Sequence, residues 1–285
     1  MIRPKKLVAA LLAILIFAGC AKEMSEEHGN GPNTGPPTPP LGTDCKVEKI
    51  TSVDSLSGIG LGSLYSQFGT NDLATRVEIY DSLAQSLKFA ANFTYANDTV
   101  RVSDKEFFIL DPSFRVKTFQ TFADVTDPNS DSLLFKYYYD ANGYLNKKEI
   151  YQGHIPVPAT VTYTWSNGNL TSLEADVAGT IKLLSAELQY SDQPATNFIY
   201  ILPEAYELAP YILSLNLGTK SKNIIKKIVM TTYDDNGNAS KTYTSNYSNV
   251  KLSSDGYVTQ LYASGDYIDG LPLLTNLTKF SYRCK

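Results

Sequence analysis

"YYYDANGYLNKKEIY", Tyr137 to Tyr151, carries a short polar segment between two aromatic-rich runs. Read one way, Asp140, Asn142 and Gly143 open a metal loop. Read the other way, they reverse the chain between two strands. The stretch recurs in looser form as "YDDNGNA" (Tyr233–Ala239) and "LSSDGYV" (Leu252–Val258), with a shortened version in "WSNGNL" (Trp165–Leu170). In the three longer copies, Asp or Ser opens a four-residue unit that closes with Gly. A type I turn favours Asp or Ser at its first position. A left-handed Gly then forms the bulge that lets two strands continue with the right twist. In "WSNGNL", Asn167-Gly168 suits a two-residue type I′ hairpin. The bulged register places Tyr139 opposite Leu145, Tyr233 opposite Ala239 and Leu252 opposite Val258, each pair on one sheet face. A calcium loop needs Gly at its sixth position and Glu at its twelfth. From Asp234 the Gly is fourth and the twelfth residue is Ser245; from Asp140 the twelfth is Tyr151. The turn is the better reading, and no metal site is expected.

Outward from these hairpins, short runs of Val, Ile, Thr, Tyr and Phe alternate with turn residues from Asp44 onward. Strands are expected at Cys45–Ser52, Thr75–Ser82, Ser86–Tyr95, Thr99–Ser103, Glu106–Leu110, Phe114–Phe122, Leu133–Asp140 and Tyr144–Gln152. Others are expected at Thr160–Trp165, Leu170–Asp176, Thr180–Tyr190, Ile224–Tyr233, Ala239–Tyr247, Val258–Ser264 and Leu274–Tyr282. Many short strands at close spacing predict an all-β fold. The expected architecture is a long antiparallel meander curling into a barrel or half-barrel. Gly58–Gly69, "GIGLGSLYSQFG", is read as a flexible loop or bulge: its glycines miss the dinucleotide fingerprint and no βαβ unit surrounds them. Pro194–Gly218 breaks the strand texture. Its Pro203, Pro210 and Gly218 predict a short helical or irregular insertion. That insertion packs on the sheet through Tyr206, Leu208, Ile212 and Leu215, with a plug or a binding lip as alternatives.

The amino end has a different texture. Arg3, Lys5 and Lys6 precede an apolar run, Leu7–Phe17, and then Ala18-Gly19-Cys20. This is a charged region, a short apolar region and a small-residue processing site, and the run is too short to span a bilayer. Phe17–Cys20 resembles the lipobox of bacterial lipoproteins, which implies that Cys20 is acylated and residues 1–19 are removed. Residues 20–43, rich in Gly, Pro and charge, cannot bury enough surface to fold, and their Pro-rich half is a stiff spacer. Lys22-Glu23 and Glu26-Glu27 resemble the acidic export signal of Bacteroidota surface lipoproteins. The reading is a lipid-anchored outer-membrane protein on the cell surface, with the periplasmic face as the alternative, and one β domain over 44–285.

Removal of residues 1–19 takes away three basic residues and no acidic one, moving the net charge from −4 to about −7. Such a chain is a poor partner for phosphate polymers, so no nucleic acid partner is expected, and lipopolysaccharide phosphates are disfavoured as bulk electrostatic targets. A local patch of Lys220, Lys222, Lys226 and Lys227 could still hold anions. With Cys20 acylated, Cys45 and Cys284 remain, and outside the cytoplasm such a pair reads as a disulfide. Closing so long a loop stabilises by roughly 4–5 kcal/mol in chain-entropy models.

The lipobox, the Pro-rich spacer, a Cys before the first strand, the "YDxNGxL" hairpins and "SKNIIKKI" (Ser221–Ile228) occur together. The combination resembles a family of Bacteroidota lipoproteins of unknown function with a porin-like β fold. The resemblance implies an architecture over about Cys45–Lys285 and carries no catalytic residues. "Porin-like" would describe shape alone, because the strands lack the lipid-facing apolar alternation of a membrane barrel. The hairpins also resemble, more weakly, the tyrosine-aspartate repeats of secreted shell-forming proteins.

Little catalytic chemistry is legible. His154 is the one histidine after the tether and sits in a connection between strands. No Gly-x-Ser-x-Gly elbow and no zinc spacing occur, and no cofactor is expected. Carboxylate pairs stay open, although Asp127, Asp131 and Asp140 sit at turns. The chain holds 20 Tyr, 12 Phe and one Trp. Such rings stack on sugars or form cross-strand ladders, and Trp165, Tyr206 and Tyr211 are the candidate ligand-binding rings. Three functions follow. The first is a non-enzymatic binding module for a glycan or an envelope protein, with the membrane engaged through the lipid. The second is a structural or carrier lipoprotein sheltering an apolar ligand. The third is a hydrolase with two carboxyl groups about 5–9 Å apart in a cleft.

Overall fold

A computed structural model describes residues 45–53, 60–81, 86–122, 131–153, 157–266, 268 and 276–284. The signal segment, the tether with Cys20, Asp127 and His154 lie outside them. The strands are β1 (Lys46–Val53), β2 (Gly60–Phe68), β3 (Ala74–Asp81), β4 (Ser86–Asn92), β5 (Thr94–Ala96), β6 (Thr99–Arg101), β7 (Phe107–Leu110), β8 (Val116–Phe122) and β9 (Ser132–Tyr139). They continue as β10 (Leu145–Gln152), β11 (Ala159–Ser166), β12 (Asn169–Val177), β13 (Ile181–Pro194), β14 (Asn223–Tyr233), β15 (Ala239–Leu252), β16 (Val258–Gly265) and β17 (Asn276–Arg283). They form one 17-stranded antiparallel sheet, a meander that makes a nearly closed barrel.

The seam lies at β1, which pairs with β2 on one side (Ile50↔Leu64) and β17 on the other (Ile50↔Phe280). An antiparallel meander returns antiparallel to its start only after an even number of passes. The odd count is resolved at Phe93, the single residue between β4 and β5. Its N–H still bonds Thr75 O, 2.9 Å away, so β4 and β5 are one bent pass. Cys45 and Cys284 form a disulfide beside the Lys46↔Arg283 pair and clasp this seam.

The predicted hairpin registers are those observed: Tyr139↔Leu145, Tyr233↔Ala239 and Leu252↔Val258. The opening carboxylate caps the turn. Asp140 Oδ1 accepts the N–H groups of Asn142 and Tyr144, both at 2.9 Å. Asp234 does the same for Asn236 and Asn238. These oxygens are engaged by backbone donors, as a turn requires. Gly143 takes φ +82°, the left-handed position that favours glycine. Two copies escape the sequence pattern. Leu110↔Val116 is opened by Asp111, and Phe68↔Ala74 by Gly69. Their left-handed residues are Phe114 and Asp72 in place of Gly, which hid them. Asn167 and Gly168 both have positive φ between Ser166 and Asn169, as a type I′ hairpin demands.

Gly60–Phe68 corrects the loop expectation: it is a full strand between β1 and β3. Glycine and serine masked its alternation. Leu64 and Ser66 point inward, and Ser66 Oγ lies 2.6 Å from Ser214 Oγ of the insertion. Small residues suit a strand that another backbone segment approaches closely.

The wall alternates with apolar residues inside. On β9 Leu133, Phe135 and Tyr137 are buried while Lys136 and Tyr138 face outward; on β11 Val161 and Tyr163 are buried while Thr160, Thr162 and Thr164 face outward. A membrane barrel has the opposite polarity. Among the described residues only Leu87, Tyr138 and Val157 are large, apolar and well exposed, so the described outer wall is mostly polar.

A wide barrel of this polarity must be filled. Residues 195–217 fill it. Phe198, Ile199, Ile201, Leu202, Leu208, Tyr211, Ile212 and Leu217 are buried, and Tyr206–Tyr211 forms a 3₁₀ turn. This one segment touches strands around the circumference: β2 through Ser66, β7 through Phe108, β10 through Lys148, β11 through Tyr163 and β17 through Phe280. Only a position inside the barrel allows that. The insertion packs on the sheet as expected, from within, and so is also the plug that stood as an alternative.

Candidate functional site

Connections of a meander alternate between its two ends. The bulged turns after β2, β7, β9 and β15, the Asn167-Gly168 turn and the plug's own entry therefore share the end that holds Cys45 and Cys284. This basal end holds Cys45, the first described residue. The turns dock the plug. Thr219 N donates to Gly143 O (2.8 Å), Thr219 Oγ1 to Asn142 O (3.0 Å), Lys222 N to Gly168 O (3.0 Å), and Val116 N to Asn216 O (2.8 Å). Gly218 is the tightest point. It has φ +87°, and a Cβ there would sit 2.2 Å from Gly143 O. Gly218→Ala is expected to destabilise the fold by about 2–3 kcal/mol, from left-handed strain and backbone collision. Urea unfolding against the native chain measures it.

Where the plug returns to β14, a cavity of about 420 Å³ opens, lined by Ala195, Asn197, Tyr200, Gly218, Thr219, Lys220, Ser221 and Lys222. The Tyr200 hydroxyl donates to Gly218 O at 3.0 Å, which fixes its ring beneath Lys220 Nζ, 4.9 Å from the centroid. Burial, and then the neighbouring Lys46, push the Lys220 pKa down to about 8. Of the four lysines in the sequence patch, Lys220 and Lys222 line the cavity, while Lys226 and Lys227 lie on β14 outside that lining.

A second polar centre lies inside the barrel. Lys148 Nζ is 2.9 Å from Glu207 Oε1 and 3.3 Å from Glu204 Oε1, with the lysine side chain 1% and both glutamates 5% exposed. Tyr163 O–H donates to Glu204 at 2.5 Å and Tyr137 O–H to Glu207 at 3.3 Å. Burial opposes the Lys148 charge, but Glu207 and Glu204 outweigh it and hold its pKa above the usual value. Burial pushes Glu207 upward against the pull of Lys148. Both directions follow from two enclosed carboxylates competing for one ammonium. Glu204 Oε2 is buried without a hydrogen-bond partner among the described residues. Here a carboxylate pair exists, but it is sealed in the core rather than set in a cleft. Glu204 and Glu207 flank the plug's 3₁₀ start, and only the tertiary fold brings Lys148 to them.

The three candidate rings occupy different surroundings. Tyr211 is 2% exposed, edge-on to Phe89, Phe93, Phe108 and Phe119, and donates to Glu106 at 3.0 Å. Tyr206 is half-buried, and burial next to Glu207 and Glu204 raises its pKa. Trp165 is half-buried against Tyr144 and donates Nε1–H to Leu145 O at 2.7 Å. None of them lines the basal cavity. On the outer wall, rings are capped by the protein's own cations: Lys147 over Tyr138, Lys136 over Tyr151 and Lys182 over Tyr233. Glu149 accepts the hydroxyls of Tyr138 and Tyr151. These are self-satisfied ladders more than open stacking platforms.

The barrel shape has a counterpart among solved structures. A porin-like protein from Bacteroides uniformis superposes with a TM-score of 0.60 at 16% identity, over 87% of this chain and 100% of that one. A porin-like protein from Bacteroides vulgatus gives a TM-score of 0.49 at 13% identity, over 84% of this chain and 99% of that one. At such identity the first likeness is one of fold. No protein-family model and no curated protein matches the chain.

Proposed function

We propose that the protein is a non-enzymatic binding module of the bacterial envelope, held by lipidated Cys20 and a stiff spacer and presenting its barrel surface to a glycan or an envelope protein. The observation that carries this reading is the filled interior inside a mostly polar wall. A barrel packed with its own chain conducts nothing and has no lumen for an acyl chain, which argues against the carrier. The enclosed Glu204–Lys148–Glu207 group has no path for a substrate or a water nucleophile, which argues against the hydrolase. What remains for function is the exterior and the two ends.

Two measurements test the reading. Cys20→Ala is expected to move the protein from the membrane to the soluble fraction; its persistence in the membrane would refute the anchor. The domain from Asp44 to Lys285, screened against glycans and envelope extracts, is expected to retain a partner. Turnover of a glycan in that screen, in place of binding, would refute the non-enzymatic assignment.

A further inference from the structure

The basal cavity is short of negative charge. Two of its lining residues are lysines and none is acidic, in a chain whose net charge is −4. Lys220 is half-buried yet makes no ion pair and no hydrogen bond among the described residues; the Tyr200 ring is its one partner. Enclosing an ammonium without a counter-charge is unfavourable, and the depressed pKa of Lys220 reports that. Lys46, whose charge bears on Lys220, is itself 3.9 Å from Asp72. The hydroxyls are already used as donors: Thr219 Oγ1 to Asn142 O and Ser221 Oγ to Tyr190 Oη. The donors left facing the cavity are Lys220, Lys222 and the half-buried Asn197 amide, whose side chain has no bond among the described residues.

We infer that this cavity binds a phosphate-bearing headgroup of about monosaccharide size. Two ammonium groups match a dianionic phosphate better than a single carboxylate. The cavity volume, about 420 Å³, lies within the range of about 300–1,000 Å³ typical of small-molecule sites and exceeds what a bare phosphate fills. The local charge acts independently of the acidic whole, because exposed charges farther than roughly 10 Å are screened. Two sources share this chemistry: a soluble sugar phosphate and a phosphorylated lipid headgroup. The cavity opens at the end that holds Cys45, so under the proposed anchor a lipid headgroup would meet it from the membrane side. This deepens the proposed binding module and rests on that reading for the source of the ligand, while the chemistry rests on the cavity.

The test is calorimetric titration of the full chain in non-ionic detergent with glucose 6-phosphate and with inorganic phosphate. A parallel arm sediments the Cys20→Ala chain with phosphatidylglycerol or phosphatidylcholine vesicles, so that the anchor contributes nothing. Binding in either arm is expected to weaken at least ~10-fold in Lys220→Gln and in Lys222→Gln, and to survive Lys220→Arg and Lys226→Gln. Binding of glucose 6-phosphate alone identifies the soluble source; preference for phosphatidylglycerol vesicles identifies the headgroup. Lys222 is exposed, so its variant reads the site even where Lys220→Gln perturbs folding. Silence in both arms, or native affinity in both glutamine variants, overturns the inference. Such a failure leaves a partner found in the glycan and envelope screen untouched, and an empty screen leaves the titration valid.

Discussion

Lys148→Met is expected to lower the stability of the barrel by about 3–5 kcal/mol, the usual consequence of leaving buried charge uncompensated. The lysine is 0% exposed and is the ammonium that Glu204 and Glu207 share. Removing it strands two carboxylates inside the plug, one of which already has an oxygen unbonded among the described residues. Protonation relieves part of that strain, so the variant should recover stability as the pH falls toward the carboxylate range. Burial already holds the folded pKa of Glu207 above its unfolded value, so this group takes up a proton on folding and acid favours the folded state. A triple variant, Lys148→Met with Glu204→Gln and Glu207→Gln, should regain most of the loss, since replacing a whole buried ionic group is far less costly than breaking it. Urea unfolding at two pH values checks both statements. A single variant as stable as the native chain would mean that water reaches this centre.

Opening the clasp between Cys45 and Cys284 ranks with it. The bridge spans 239 residues, a loop for which chain-entropy arguments give a stabilisation of about 5 kcal/mol. The paired cysteines also hold the seam where the first and last strands meet, so Cys45→Ser with Cys284→Ser should fray β1 and β17 before the rest. The check is denaturant unfolding of the oxidised protein and the double variant, combined with hydrogen exchange at the seam. The expected result is a lower midpoint together with faster exchange of residues such as Ile50 and Phe280. Equal midpoints would mean that strand pairing alone closes the barrel.

Much of this fold was legible because its signals are local. Asp140, Gly143 and their counterparts state a turn within four residues, and turn register fixes which side chains face one another. The two cysteines stated the closure because one precedes the first strand and the other follows the last. β2 was not legible: Gly60, Gly62, Ser63 and Ser66 carry no apolar alternation, since their smallness serves the plug's approach. Phe114 and Asp72 hid two bulged turns, because a left-handed residue that is not glycine gives no signal in composition. The site was less legible still. A bulge in β10 lies between Leu145 and Lys147, so period-two reading from the buried Leu145 cannot say which of Lys147 and Lys148 points inward. Glu204 and Glu207 read as helix-start residues, and only the plug's position gives them a cation. The cavity lysines, Lys220 and Lys222, stood out as charge, but their separation from Lys226 and Lys227 needed the end of the barrel to be known. Tyr211 read as a ring for a ligand because aromatic content has no direction; four phenylalanines enclose it.

Residues 195–217 fill the barrel, and the rest of the fold is arranged around them. Hydrogen–deuterium exchange of the native protein, resolved by peptide, tests this most directly. Protection of that segment comparable to β9, β10 and β14 is the predicted result. Exchange at the rate of an open surface loop, with the strands still protected, would contradict it.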